Sequence, residues 1–310
     1  MFSFFKKNKD LPTVPNWASF FTPEQYSAFI QGIDRYFKKR NLTYTLGDGM
    51  LSVSENDFGF GNLGLNNVAQ VCRQNNSGNY DSIIETHFET LVRSKQFETG
   101  FNKMVGNFEE VKKYIGVRLY ATDYIRQVGE QLTITKPFAG DILCMLVFDL
   151  PDSIINVKPA QAAIWNKSMD ELFDLGMENI LNNYPCRISQ ENFIDFKIWL
   201  VQGDHFFAPN IVLDLENHRN LIGSRGALIG IPHRHTAIIY PIENMEVVNA
   251  VNKLIPLVNG MFSEGPGSIS NNLFWYHDGD FENLPYSVDG NTLKFSPPAN
   301  FIELLNSLNA

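Results

Sequence analysis

The stretch Gly230-Ile-Pro-His-Arg-His-Thr-Ala-Ile-Ile-Tyr240 places two apolar, strand-like runs on either side of His233, Arg234 and His235. Short apolar runs joined by a polar connection are typical of neighbouring β-strands. The three residues of the connection form the densest cluster of reactive side chains in the chain. The stretch therefore predicts a strand-turn-strand unit that carries the candidate functional site.

The sequence on both sides of this stretch mixes hairpin and helix patterns. Glycine next to aspartate predicts tight turns at Gly47-Asp48-Gly49 and Asp278-Gly279, because these residues tolerate positive φ. Apolar residues at helical spacing predict amphipathic helices after Thr22-Pro23-Glu24 and after Asn244. The predicted fold class is α+β, with mixed, largely antiparallel sheets and packed amphipathic helices.

Three finer expectations concern single segments. Ile211-Val212-Leu213 has the composition of a strand, and one helix is expected from about Pro159 to Leu181. In the helix after Asn244, Pro256 should produce a kink or an early end, because proline lacks the backbone N–H.

The polar connection Asp123–Gln131 is the predicted place for a domain boundary. The predicted division is a flexible segment 1–20, an N-terminal α+β region 21–126 and a C-terminal α+β region 127–310.

Composition limits the classes of partner. The net charge of -9, from 34 acidic and 25 basic residues, disfavours nucleic acid, and 44% hydrophobic residues can supply an extensive core. No apolar run approaches the ~20 residues of a membrane-spanning helix. Cys72, Cys144 and Cys186 form no C-x-x-C pair, and free thiols favour a cytoplasmic protein.

The N-terminal segment Met1-Phe2-Ser3-Phe4-Phe5-Lys6-Lys7 has its basic residues after the apolar ones, which is the reverse of a signal peptide. Its phenylalanines and lysines predict at most a weak contact with an anionic membrane surface.

Two other motifs lack the context that they need. Gly59-Phe60-Gly61-Asn62-Leu63-Gly64 matches G-x-G-x-x-G, but no strand ending in an acidic residue follows its helix. Asp278-x-Asp280-x-Glu282 resembles the start of a calcium loop, but Asn283 stands where glycine is required. No cofactor is predicted.

His233 and His235 allow three interpretations. They can chelate a metal, or one can act as a base while Arg234 holds an anion, or the turn is a surface connection whose histidines are solvated or bond to the backbone. A metal needs a third ligand, and the donors available elsewhere in the sequence are His205, His277, Asp204 and His218.

From about His87 onward, over roughly two-thirds of the chain, the order of features resembles the YtpQ-like family of uncharacterised bacterial proteins, a domain of unknown function. The matching passages are Val117-Arg118-Leu119-Tyr120, Leu146-Val147-Phe148-Asp149-Leu150, Met169-Asp170-Glu171-Leu172, Ile231-Pro232-His233 and Leu273-Phe274-Trp275-Tyr276. The resemblance implies a cytosolic α+β protein without an assigned reaction. In such relatives the position of His235 is often acidic, so the resemblance does not imply a shared two-histidine metal site.

These patterns predict a soluble cytoplasmic, non-catalytic binding or interaction module with an unknown protein or small-molecule partner. The alternative is a metal-assisted hydrolase with a histidine cluster around His233 and His235, to which His205 or His277 contributes.

Overall fold

The computed structural model describes residues 12–54, 59–265, 267–289 and 292–309. The predicted membrane contact of the first residues lies outside this part. The chain forms two compact units: Met1–Lys103 with Pro151–Ser153 is unit 1, and Met104–Leu150 with Ile154–Ala310 is unit 2. This division differs from the predicted boundary at 126/127, because residues 115–121 pair along their whole length with residues 142–148 of unit 2.

In the described residues of unit 1, three α-helices pack against a small antiparallel sheet. Its first helix begins at the capping box of Thr22 and Gln25, in which each side chain bonds to the backbone N–H of the other residue. Asp48 and Gly49 have φ of 45° and 74°, which confirms the predicted hairpin turn. The elements are α1 (Pro23–Lys39), β1 (Tyr44–Gly47), β2 (Met50–Val53), β3 (Asn62–Gly64), α2 (Asn66–Arg73) and α3 (Tyr80–Phe101).

Unit 2 contains a four-stranded sheet with the order β4-β6-β5, and β7 also pairs with β6. Residues of β6 are almost all buried, as expected for a strand covered on both faces. The elements are α4 (Phe108–Val111), β4 (Ile115–Ala121), α5 (Thr122–Val128), β5 (Thr135–Ala139), β6 (Ile142–Leu150), β7 (Ser153–Asn156), α6 (Pro159–Ala162) and α7 (Met169–Asn183).

The second sheet of unit 2 has six antiparallel strands in the order β13-β12-β10-β11-β9-β8. Helix α8 packs on it, and a Cβ at Gly230 of β10 would lie 2.5 Å from Val258 of that helix. The elements are β8 (Arg187–Phe193), β9 (Phe196–Gln202), β10 (Ala227–His233), β11 (Thr236–Pro241), α8 (Glu246–Glu264), β12 (Leu273–His277), β13 (Asp280–Leu284), a separate hairpin of β14 (Tyr286–Asp289) and β15 (Thr292–Phe295), and α9 (Ala299–Leu308).

The α+β class, the largely antiparallel pairing and the hairpin at Asp278-Gly279 are confirmed. The strand predicted at residues 211–213 is wrong, because these residues end the 3-10 helix Ala208–Leu213. Within it, the buried Asn210 side chain donates to the Val117 carbonyl of β4 at 2.7 Å, a tertiary bond that local pattern does not reveal.

The single helix predicted from Pro159 to Leu181 is also wrong. It is interrupted at Asn166, which has a left-handed φ of 50°, and α7 starts again at the capping box of Ser168 and Glu171. By contrast, Pro256 does not end α8, which runs for 19 residues through it. Leu254, Ile255 and Val258 are buried around the proline, so packing holds the helix together there. Within the described residues, no helix is long and apolar enough to cross a membrane.

Candidate functional site

The candidate site of unit 2 draws on both sheets. The six-stranded sheet supplies the turn between β10 and β11 and the loop after β9, and the four-stranded sheet supplies β4 and the helix α5 that follows it. We use the name basic cluster for the side chains that these segments bring together: Arg118, Tyr120, Tyr124, Phe206, His233, Arg234 and His235.

Arg118 lies on an apolar face of β4. It stands directly opposite Met145, which is fully buried, and paired residues of an antiparallel ladder point to the same face. Its guanidinium carbon lies 4.5 Å from the ring centre of Tyr120 and 5.4 Å from that of Phe206. Its Nε is buried and has no hydrogen-bond partner among the described residues. Arg118 is thus a cation that contacts rings rather than a counter-ion.

Arg234 approaches the same phenylalanine from the β10–β11 turn. Its guanidinium carbon lies 4.0 Å from the centre of the Phe206 ring. The guanidinium carbons of Arg118 and Arg234 thus lie near the same ring centre. The distance between these two carbons cannot exceed the sum of their distances to that centre. Cation–aromatic contacts of this kind orient an arginine without neutralising its charge.

A glycine segment fixes the backbone and side chain of Arg234. The backbone N–H of Arg234 donates to the Gly267 carbonyl at 3.1 Å. Gly267 has a φ of +71°, and a Cβ there would lie 2.6 Å from Cδ of Arg234. A Cβ at Gly265 would lie 2.3 Å from the ring of His233. Glycine at both positions therefore permits the close approach of this segment to the turn.

The hydrogen bonds of the two histidines indicate their tautomers. Nδ1 of His233 accepts from the backbone N–H of His235 at 3.3 Å, which leaves the proton on Nε2. Nε2 of His235 accepts from Nε of Arg234 at 3.2 Å, and its Nδ1 donates to the Gly203 carbonyl at 3.2 Å. Both ring nitrogens of His235 are therefore occupied, whereas Nε2–H of His233 remains a donor.

Burial and like charges set the protonation of the cluster. Burial, reinforced by His235 and Arg234, lowers the pKa of His233 to about 4. Burial and the charge of Arg118 lower the pKa of Arg234 to about 10, and burial lowers the pKa of Arg118. The pKa of His235 is also lowered, by burial first and then by Arg234. At neutral pH the cluster therefore contains two charged arginines and two neutral histidines.

In the described part of the chain, no carboxylate balances the charge of the two arginines. Among the described side chains, none forms an ion pair with either guanidinium group. Besides burial, the side chains that influence their pKa values are Tyr120 and Tyr124 for Arg118, and Arg118 and Tyr120 for Arg234, and none of these is a carboxylate. Partly buried charges are normally paired. The described side chains therefore leave the positive charge of the cluster uncompensated.

The other predicted ligands lie apart or are already engaged. Nε2 of His205 bonds to the Pro185 carbonyl and its Nδ1 accepts from the N–H of Phe207. His277 stacks on Trp275 with ring centres 3.7 Å apart. Tyr276 pairs with Ala227 at the start of β10, so His277 lies about 20 Å from His233 at the other end of the strand.

His277 instead lines a cavity of about 490 Å³ with Asp278, Arg225 and Glu303. The remaining two donors predicted from the sequence are Asp204, in the loop after β9, and His218, which pairs with Asp214. No group of three histidine, cysteine or carboxylate side chains in the described part of the chain is arranged to hold a metal ion.

The turn residues of the cluster were predicted from the sequence, whereas Arg118, Tyr120, Tyr124 and Phe206 were not. A signal for Arg118 does exist, because a charge between Val117 and Leu119 lies within a strand whose apolar residues are buried. Phe206 carries only a weak signal, as one of two adjacent phenylalanines after His205.

No family model matches the chain, and no curated protein or solved structure matches it either. The resemblance to the YtpQ-like family stays a prediction.

Proposed function

We propose that the protein is a non-catalytic binding module that holds an anionic ligand at the basic cluster. The observation that carries the proposal is the pair of arginines, Arg118 and Arg234, which share the Phe206 ring and have no carboxylate partner among the described side chains. An anion would supply the missing charge and accept from Nε of Arg118, which has no described partner.

The surroundings of Arg234 support binding because they are preorganised. Nε of Arg234 donates a hydrogen bond to His235, and Phe206 packs against the guanidinium group of Arg234. Gly267 lies close to Cδ of the same side chain. A side chain that is already held in position loses little conformational entropy when a ligand arrives. Arg234 thus has a fixed direction in which to present its terminal amino groups.

The protonation of the histidines supports a non-catalytic role. A pKa of about 4 makes His233 a weak base at neutral pH, and its Nδ1 already accepts a hydrogen bond. His235 has no unoccupied ring nitrogen. In this arrangement His233 donates to an anion through Nε2–H.

The test is calorimetric titration of inorganic phosphate into the full chain at constant ionic strength. Saturable binding is expected, and Arg118→Gln and Arg234→Gln should each weaken it by about tenfold or more, as for the loss of a charged hydrogen-bond donor. Arg126→Gln is the matched control, because Arg126 is exposed and pairs with Asp123. The absence of saturable binding, or equal binding by all variants, would contradict the proposal.

The same protein tests the alternative function, metal-assisted hydrolysis. Metal analysis and a broad hydrolase screen are carried out on the wild type and on the double variant His233→Ala/His235→Ala. Turnover that depends on these histidines would overturn the non-catalytic proposal. Turnover that persists in the double variant would show that His233 and His235 are not required for it.

A further inference from the structure

We infer that the anion of the basic cluster is a phosphoryl dianion, either inorganic phosphate or a phosphate monoester of a small molecule. This inference rests on the proposed function and narrows its ligand class. It follows from the charge of the cluster, from the number of its donors and from the surface that surrounds them.

The charge of the cluster calls for a dianion. Arg118 and Arg234 contribute two positive charges, and the aromatic rings against which they pack contribute none. A singly charged ligand would leave one partly buried cation without a counter-charge, which is unfavourable in a region of low dielectric constant. A phosphate monoester supplies two charges above its second pKa of ~6.

The donors call for more than two acceptor oxygens. Nε of Arg118, the terminal amino groups of Arg234 and Nε2–H of His233 come from two different sheets. A carboxylate offers two oxygens in one plane, which suits one arginine fork. A tetrahedral phosphoryl group offers three terminal oxygens in different directions, which matches three donor side chains.

The surroundings favour a small ligand over a polyanion. The net charge of -9 disfavours a nucleic acid backbone, and the cluster is a local exception to that charge. Phe206 is 36% exposed beside the guanidinium groups. This ring offers an apolar surface for the organic part of a monoester.

Methyl phosphate and dimethyl phosphate provide a matched pair of probes. Both are tetrahedral, but at about pH 8 the monoester carries two negative charges and the diester one. We expect methyl phosphate to bind the full chain about tenfold more tightly or better, by calorimetry at constant ionic strength. Inorganic phosphate, titrated in parallel, distinguishes the two sources: tighter binding of methyl phosphate identifies an ester, and tighter binding of phosphate identifies the free ion.

Arg118→Gln and Arg234→Gln provide the second readout, since each removes one of the two positive charges that favour a dianion. Each should reduce the preference for the monoester, while a thermal melt shows that the variant is folded. Equal affinities for methyl and dimethyl phosphate would overturn the dianion inference and leave anion binding intact. If neither probe binds and phosphate does not bind either, the proposed function itself fails.

Discussion

The cationic side chains on the helix surface of unit 1 and those of the basic cluster of unit 2 have different kinds of neighbour. Arg35 and Lys39 of α1, and Arg40 directly after it, each pair with a carboxylate of α3, namely Asp81, Glu85 and Glu89. In the basic cluster, Arg118 and Arg234 pack on aromatic rings and have no described carboxylate partner. Unit 1 thus provides counter-charges for these cations, whereas the described side chains of the cluster provide none for Arg118 and Arg234.

Because their neighbours differ, the cationic side chains of the two regions also contribute differently to the stability of the fold. Exposed ion pairs between helices contribute about 0 to 1 kcal/mol each, because water already solvates both partners. A partly buried cation without a counter-ion reduces stability, since its hydration is lost and not replaced. A partly buried cation without a counter-ion is typical of a functional site, where a residue that binds a ligand can reduce the stability of the fold.

The largest expected effect in this comparison comes from Gly267→Ala. The new Cβ would lie 2.6 Å from Arg234 at a backbone φ of +71°, so we expect phosphate binding to fall by at least about tenfold and the free energy of unfolding to fall by ~1–3 kcal/mol. Gly279→Ala is the matched control, because Gly279 has a φ of +89° and open space around its Cβ position. It should lose stability and keep full binding. Equal loss of binding in both variants would contradict the role of Gly267.

The next prediction is that Arg118→Met and Arg40→Met change the free energy of unfolding in opposite directions. Without ligand, Arg118→Met should raise the free energy of unfolding by about 1 kcal/mol, since it removes a partly buried charge from beside Met145. Arg40→Met should lower it by about 1 kcal/mol, because Glu89 loses its cationic partner and keeps the hydrogen bond from Tyr36. Urea unfolding measures both changes. Destabilisation by Arg118→Met would show that the fold itself needs this cation.

A smaller effect concerns pH. The pKa of His233 falls from 6.5 to about 4 on folding, so the unfolded chain binds the proton more readily. The stability linked to His233 is therefore complete above pH 6.5 and decreases as the pH falls towards 4. His233→Asn, whose amide oxygen can replace Nδ1 as the acceptor, should flatten this part of the stability curve. An unchanged slope between pH 6.5 and 4 would show that burial of His233 does not perturb its titration.

The smallest effect is expected at Arg35, where both partners of the ion pair are more than half exposed. Arg35→Gln should change the free energy of unfolding by no more than ~0.5 kcal/mol, and phosphate affinity should not change. A loss of phosphate affinity in this variant would place an anion contact in unit 1.

Local signals were sufficient for much of the fold. The turns at Asp48-Gly49 and Asp278-Gly279 were predicted because positive φ selects few residue types, and the helix after Thr22 was predicted from its cap. The 3-10 helix at residues 208–213 was not predicted, because its Asn210 bonds to a strand that is distant in sequence.

Some residues of the candidate site could likewise be predicted from the sequence and others could not. His233, Arg234 and His235 are adjacent in the chain, so composition alone identified them. Arg118 joins them only because β4 and the loop after β9 meet at Phe206. The missing counter-charge is a property of that three-dimensional arrangement, and one sequence cannot show it.

The most direct measurement is a crystal structure of the full chain grown with methyl phosphate. The predicted result is a phosphoryl group within hydrogen-bond distance of Nε of Arg118, the guanidinium group of Arg234 and Nε2 of His233. A carboxylate of the chain itself against both guanidinium groups, with no ligand between them, would contradict it.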